Sequence, residues 1–277
     1  MEIRRLYVVT RPGEERAIRA LAILKGWSGA KGIEAITVDR EGKAPRVQGG
    51  GALVVALGGD GTVLRAASLF AESGLPILGA NVGNLGFLTQ VPAASLTLAL
   101  EEVLQGRCRV EERMRLSFQC GSRRGTVLND VVVAAPADSR FCELDLLWKG
   151  ETIATCPGDG LVLATPTGST AYALSAGGPV LIPEARAILA VPIAPHKLGL
   201  RPVVFQPGET LTVHPRSAAC LFADGDPVLD LPAEANVDVR ESPLPTRLVR
   251  MHDAPSFFRL LGEKLAWGDS RPRKLKG

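Results

Sequence analysis

Residues 53 to 57 read Leu-Val-Val-Ala-Leu, without one polar side chain, and the next four are Gly-Gly-Asp-Gly. A short apolar run rich in β-branched residues predicts a strand. A strand with no polar side cannot lie at a half-wetted surface. It has to be covered on both faces, as the strands of a parallel sheet are. The glycines end the strand and open the next element, so the chain is restricted from the outset to a layered α/β arrangement around residues 53–57.

The neighbouring segments agree. Residues 6–9 and 33–38 predict strands, and 14–27 a helix with Ala17, Leu21 and Leu24 on one face. The polar, glycine-containing stretch 39–51 predicts a loop. Residues 62–73 predict a helix stopped by Gly74, 77–78 a strand, and 93–105 a further helix. Alternation of this kind gives a doubly wound α/β domain over residues 1–108. Beyond Arg109 the texture changes to closely spaced strands at 116–120, 126–134, 143–148, 152–155 and 161–164, with Lys149-Gly150 as a hairpin turn. More follow at 202–205, 210–214, 219–223, 227–231 and 237–240. Glycine and proline punctuation between them predicts a β-sandwich-like second domain over 109–240. Residues 256–267 predict an amphipathic helix, and the tail 241–277 is expected to return and complete the first domain.

Bulk properties exclude several roles. The formal net charge is only +3, and the basic cluster Arg271, Arg273, Lys274 and Lys276 is the pattern of a solvated terminus, so no nucleic-acid partner is expected. The five cysteines have no C-x-x-C spacing and the three histidines are isolated, which predicts free thiols and no zinc site. Glu2, Arg4 and Arg5 precede an apolar run too short for a signal peptide, and no run reaches the ~18 residues of a membrane span. The expected setting is cytoplasmic, with no membrane partner.

The chemistry is concentrated in glycine-rich blocks. Gly58-Gly59-Asp60-Gly61-Thr62 follows a buried strand and opens a helix, the context in which backbone N–H groups hold phosphate. It is neither a Walker A loop, lacking G-x-x-x-x-G-K-[ST], nor a dinucleotide fingerprint, because Leu64 stands in place of the third glycine. A second block runs through Gly158-Asp159-Gly160 and residues 165–172 to Ser175-Ala-Gly-Gly-Pro179. Small residues and hydroxyls at this density let a chain wrap sugars and phosphates; tight turns, with hydroxyls capping a helix from Ser169, are the plain alternative. Asn129-Asp130, just before an apolar run, is by itself the pattern of a turn.

Taken together these blocks resemble the NAD kinase family over most of the chain. The resemblance is carried by residues 58–65, by Asn81-Val-Gly-Asn-Leu-Gly-Phe-Leu88, by Asn129-Asp130, by 159–179, by Ala194-Pro-His196 with Arg201-Pro202, and by Asp224-Gly225-Asp226. It implies that Asp60 is the catalytic acid-base residue beside the NAD 2′-hydroxyl, with Gly61 next to it. Asn129, Asp130, Asp159 and Thr170, Ala171, Tyr172, Ala173, Leu174 and Ser175 are implied to bind NAD, as are Arg140 and Asp226. Gly58, Gly59, Gly61, Thr62 and Arg65 are implied to meet ATP phosphates. The family departs from this chain at three places: it more often has Glu at Asp130, a basic residue at Pro157 and Gln at Asp226.

The implied reaction transfers the γ-phosphoryl group of ATP to NAD, with a divalent ion, Mg²⁺, as cofactor and a homodimer or homotetramer as the assembly. It also explains the acidic residue within a phosphate turn. A carboxylate beside phosphates is repulsive unless it holds a cation or accepts a proton, and in a kinase both are useful. The GGDG turn alone leaves a lipid or sugar acceptor open, as well as a protein that senses NAD without catalysis. The block 159–179 favours NAD, and the broken fingerprint disfavours a dehydrogenase.

Overall fold

In the computed structural model, which describes residues 2–11, 13–39, 41–43, 45–47, 50–139 and 141–267, the chain opens with strand β1 (Arg5–Thr10), helix α1 (Glu15–Ala30) and strand β2 (Glu34–Asp39). Strand β3 (Ala52–Gly58), helix α2 (Asp60–Leu69) and strand β4 (Ile77–Asn81) follow, then β5 (Val91–Pro92), helix α3 (Leu96–Leu104) and β6 (Cys108–Arg113). The sheet order is β2-β1-β3-β4, then the late strand Thr246–Met251, then β6. Strands β1 to β4 are mutually parallel, and Thr246–Met251 runs parallel to β4.

All seven residues of β3 are buried, as its composition requires. Leu6, Val8, Leu53, Val55 and Leu57 pack with Ala17 and Leu24 of α1 and with Leu96, Leu100 and Val103 of α3. Their alternates Tyr7, Val9, Val54 and Ala56 point to the opposite face and are buried too. Burying each large apolar side chain contributes roughly 1.5–3 kcal/mol. Both faces of the sheet are therefore covered, and the turn Gly58–Gly61 lies at the carboxyl edge of β3, beside β1.

The second fold consists of two six-stranded antiparallel sheets. Its strands are β7 (Leu116–Cys120), β8 (Arg123–Val127), β9 (Asp130–Ala134), β10 (Cys142–Trp148), β11 (Glu151–Gly158) and β12 (Gly160–Ala164). They continue with β13 (Ile188–Ile193), β14 (Val203–Phe205), β15 (Leu211–Pro215), β16 (Ala219–Ala223), β17 (Asp226–Leu231) and β18 (Val237–Glu241). One sheet has the order β11-β10-β15-β18-β7-β8, the other β14-β13-β12-β9-β16-β17. Leu116, Leu144, Val213 and Val239 of the first interdigitate with Val131, Leu161, Leu163 and Leu221 of the second. The outer face of the second sheet carries Val132, Val162 and Val191 against Ala173 of the short helix α4 (Tyr172–Ser175).

The chain divides into two compact units, Met1–Ala66 with Leu75–Glu111 and Leu248–Gly277, and Ala67–Gly74 with Glu112–Arg247. The last helix, α5 (Phe257–Leu265), is capped by Ser256 Oγ, which accepts from Arg259 N, and buries Leu260 and Leu261. Its Phe257 ring lies 6.1 Å from that of Phe87 in the first unit. Among the described residues no helix is long and apolar enough to cross a membrane.

Four differences from the sequence expectation have physical causes. Helix α2 starts at Asp60 rather than residue 62 and ends at Leu69, followed by tight turns up to Gly74, whose φ of +62° ends the segment. The helix expected over 93–105 begins as a 3-10 turn, Ala93–Ser95. The strand expected over 126–134 is two strands in different sheets, broken at Leu128-Asn129 because a distant carboxylate takes their backbone N–H groups. Strands β6, β13 and Thr246–Met251 were not legible: charged residues dilute the first and last, and Pro192 interrupts the pattern of β13.

Candidate functional site

The predicted residues fall into two groups, one in each unit. In the first unit Asp60 is the opening residue of α2, half-buried, where the helix N-terminus is favourable for negative charge. Its carboxylate is held by the loop that follows β4. Oδ2 accepts from Phe87 N at 2.8 Å; Oδ1 accepts from Leu88 N at 3.1 Å, Thr89 N at 3.0 Å and Thr89 Oγ1 at 3.2 Å. The chain passes so close that a Cβ on Gly86 would lie 1.8 Å from Oδ1. Gly86 is glycine because the carboxylate occupies the space of its side chain.

Around this carboxylate the glycines have separate reasons. A Cβ on Gly58 would sit 2.1 Å from Thr62 Oγ1, so Gly58 makes room for the buried threonine one turn along α2. Gly59 and Gly61 are exposed and would meet no protein atom within 4 Å. Their lack of a side chain is not demanded by packing among the described residues. Arg65, one turn further, donates Nη2–H to Gly42 O at 3.1 Å.

In the second unit Asn129 and Asp130 sit where the chain passes from one sheet to the other. The carboxylate of Asp224 accepts from Leu128 N (2.9 Å), Asn129 N (2.7 Å) and Asp130 N (3.2 Å), and Asp224 N donates back to Asp130 O. From the other side Thr165 Oγ1 donates to Leu128 O at 2.6 Å and Thr165 N to Asn129 O at 2.8 Å. Gly168 passes so near that its Cβ would lie 2.2 Å from Asn129 O. The backbone of Asn129 is thus fixed on both sides, and its half-buried amide has no hydrogen-bond partner among the described residues.

The carboxyl of Asp130 is buried (4% exposed) with Asp224 close by. Burial, and then repulsion from Asp224, pushes it from an ordinary 3.8 up to about 7. Asp224 is also raised by burial, against the three backbone N–H groups and the Arg115 guanidinium, which favour its charge. Asp224-Gly225-Asp226 carries part of the family resemblance, but the role it implies falls on Asp226, which is exposed at the start of β17. Asp224 is set apart by its left-handed backbone (φ +49°) beside Gly225, a feature of the folded chain that the sequence does not show.

The remaining predicted residues divide. Asp159 is exposed between β11 and β12, with its backbone tied to Ile193 and Ala135. Thr170 Oγ1 donates to Thr167 O. Tyr172 and Ser175 are exposed, Ala171 and Leu174 half-buried, and Ala173 is fully buried in the packing beneath α4. Ser169 caps no helix; its hydroxyl donates to Pro166 O and accepts from Leu181 N. Arg140 lies outside the described residues, as do Arg271, Arg273, Lys274 and Lys276. All five cysteines are free, and burial pushes the Cys142 thiol up to about 11, which keeps it protonated at neutral pH. Among the described residues no group of three or more His, Cys, Asp or Glu side chains is placed to hold a metal ion. The described residues therefore supply no three-ligand protein cage for a metal, although Mg²⁺ needs only one or two carboxylates beside substrate phosphates.

Comparison with known proteins bears on what these two groups are. Residues 22–108 match the ATP-NAD kinase N-terminal domain and residues 128–251 its C-terminal domain. The NAD kinase of Moorella thermoacetica is 43% identical over 233 residues, which cover 79% of this chain and 72% of that protein. That of Acidobacterium capsulatum is 36% identical over 287 residues, covering 96% and 100%. Among solved structures, yeast NADH kinase complexed with NADH superposes with a TM-score of 0.86 at 25% identity, over 100% of this chain and 91% of that one. An Archaeoglobus fulgidus NAD kinase in complex with ATP shares the fold, with a TM-score of 0.73 at 24% identity, over 88% and 92%. With both domains matched and the glycine turn, the Asn-Asp pair and the 165–175 segment each built into the fold, the chain belongs to the ATP-NAD kinase family.

Proposed function

We propose that the protein is an NAD kinase, transferring the γ-phosphoryl group of ATP to the 2′-hydroxyl of the adenosine ribose of NAD to give NADP and ADP. Besides family membership, the observation that carries this reading is the Asp60 carboxylate at the start of α2, flanked by two glycines that no protein atom crowds. In the proposed step the 2′-oxygen forms a bond to the γ-phosphorus, the bond from phosphorus to the β–γ bridging oxygen breaks, and ADP leaves. The proton of the hydroxyl passes to Asp60. Oδ2 is the oxygen suited to receive it, since it holds one donor where Oδ1 holds three.

Gly58, Gly59, Gly61, Thr62 and Arg65 are assigned to the ATP phosphates. Asn129, Asp130, Asp159, Asp226 and the residues 170–175 are assigned to NAD, with Asn129 best supported because its backbone is fixed from two sides. Mg²⁺ belongs to this scheme as part of the substrate Mg·ATP, in keeping with the lack of a protein metal cage among the described residues. A cytoplasmic setting accords with the five free cysteines. We assign the protein a homo-oligomeric state, supported by Leu198 (89% exposed), Val203 and Val204 on and beside the edge strand β14.

The test is incubation of the full chain with NAD and Mg·ATP, with NADP detected by an NADP-specific dehydrogenase. NADP is expected only when both substrates are present. Transfer to a lipid or sugar with none to NAD, or NAD binding without product, overturns the proposal.

A further inference from the structure

The Thr89 hydroxyl lies at the centre of a hydrogen-bond chain whose direction is fixed. Thr89 is 0% exposed, so no water competes for it. Its Oγ1 lies 2.9 Å from Gly86 N and 3.0 Å from Asn81 Nδ2, both of which are donors. The Asn81 amide cannot be turned over, because its Oδ1 accepts from Gly83 N at 2.5 Å and its Nδ2 also donates to Asn84 O. A threonine hydroxyl has two acceptor sites and one proton. Gly86 and Asn81 fill the acceptor sites, and among the described residues the one remaining partner is Asp60 Oδ1, at 3.2 Å. The proton of Thr89 is therefore directed at Asp60.

We propose that Thr89, held by Asn81, is a positioning residue for the phosphoryl-transfer step. By saturating Oδ1 it fixes the carboxylate plane and leaves Oδ2 as the oxygen that meets the incoming hydroxyl. The same loop supplies the peptide N–H groups of residues 87–89, but those depend only on the backbone. The hydroxyl is the side-chain contribution that sequence can change. This inference rests on the assignment of Asp60 as proton acceptor.

The test measures kcat and KM for NAD and Mg·ATP in Thr89→Val, Thr89→Ser and Asp60→Asn, and in Thr89→Val combined with Asp60→Asn. Valine keeps the shape and removes the donor. Loss of a hydrogen bond to a charged group predicts a fall in kcat of about tenfold or more, with both KM values changing less than about threefold. Thr89→Ser, which keeps a hydroxyl, is expected to recover most of that loss. In the Asp60→Asn background Thr89→Val should add less than about twofold, because a residue that acts through another has nothing left to act on. A general structural role would give the same loss in either background, and that result overturns the proposal. So does a Thr89→Val enzyme within about threefold of the parent, or a serine variant as slow as the valine one. If Asp60→Asn by itself keeps the parental rate, the assignment of Asp60 fails and takes this inference with it. Should Thr89→Val not fold, Thr89→Ala carries the same comparison.

Discussion

The two oxygens of the Asp60 carboxylate have unequal surroundings, and this shapes what a substitution does. Asp60→Asn retains one carbonyl oxygen, which can keep the three donors from Leu88 and Thr89. Its amide nitrogen would then face Phe87 N–H, donor against donor. The variant is thus expected to lose the proton acceptor and also to loosen one loop contact. General-base catalysis supplies about 10²–10⁴ in rate, so kcat should fall at least about a hundredfold, as read in steady-state assays. Thermal unfolding should show only the modest loss of one hydrogen bond, about 1–3 kcal/mol. A variant that turns over near the parental rate excludes Asp60 as the base. Asp130 allows a second test at this scale. Its folded carboxyl titrates near 7 rather than 3.8, so between about pH 4 and 7 the native state binds more protons than the unfolded one. Unliganded stability should therefore fall as pH rises through that window. Asp130→Asn should flatten the slope and raise the melting temperature at pH 8 by at least about 2 °C. An unchanged slope in calorimetry refutes this.

Among the elements, α2 and the loop after β4 form one device. Burial of β3 on both faces fixes where its carboxyl end emerges, and the helix that begins there presents its N-terminal peptide groups with Asp60 as its first residue. The glycines of the turn separate by geometry into those the protein needs and those it leaves open. Gly61 is of the second kind, in the first turn of a helix, with open space where its Cβ would go. Alanine there should stabilise the protein by about 0.5–1 kcal/mol, since glycine is the poorer helix former. It should also weaken Mg·ATP binding, because a methyl group would stand between the peptide groups and the phosphates. Raised melting temperature together with raised KM for Mg·ATP is the expected pair of results. Unchanged KM would mean the phosphates do not approach Gly61. Strands β8 and β9 make the complementary point. Local pattern reads 126–134 as one apolar strand, and the interruption comes from Asp224, 96 residues along the chain from Leu128.

At the scale of the whole molecule, apolar side chains remain on the β-rich unit. Leu198, Val203 and Val204 are well exposed, the last two on edge strand β14, whose outer edge pairs with no strand among the described residues and is a template for another. Light scattering at micromolar concentration should give the mass of a homodimer or homotetramer; a monomer with full activity refutes the assembly. Much of the architecture could be read from sequence. The run 53–57 required a doubly covered sheet, the alternation around it gave the α/β unit, and the spacing beyond residue 109 gave the sandwich. The glycine turn and the block 158–179 stand out in sequence as candidate phosphate and sugar sites, whereas Asn129-Asp130 reads by itself as a turn and gains a role only through the family resemblance. Each of these signals is local: a period of two or 3.6, a glycine where a chain must turn, a carboxylate among small residues. What holds the chemistry in place is not local. Thr89 reaches Asp60 across 29 residues, and Asp224 reaches Asn129 across 95. Neither contact leaves a periodic trace, because a lone hydroxyl or carboxylate reads the same in sequence whether it meets water or a backbone amide. Only the order of the strands, which brings those segments side by side and removes the water between them, decides which it is.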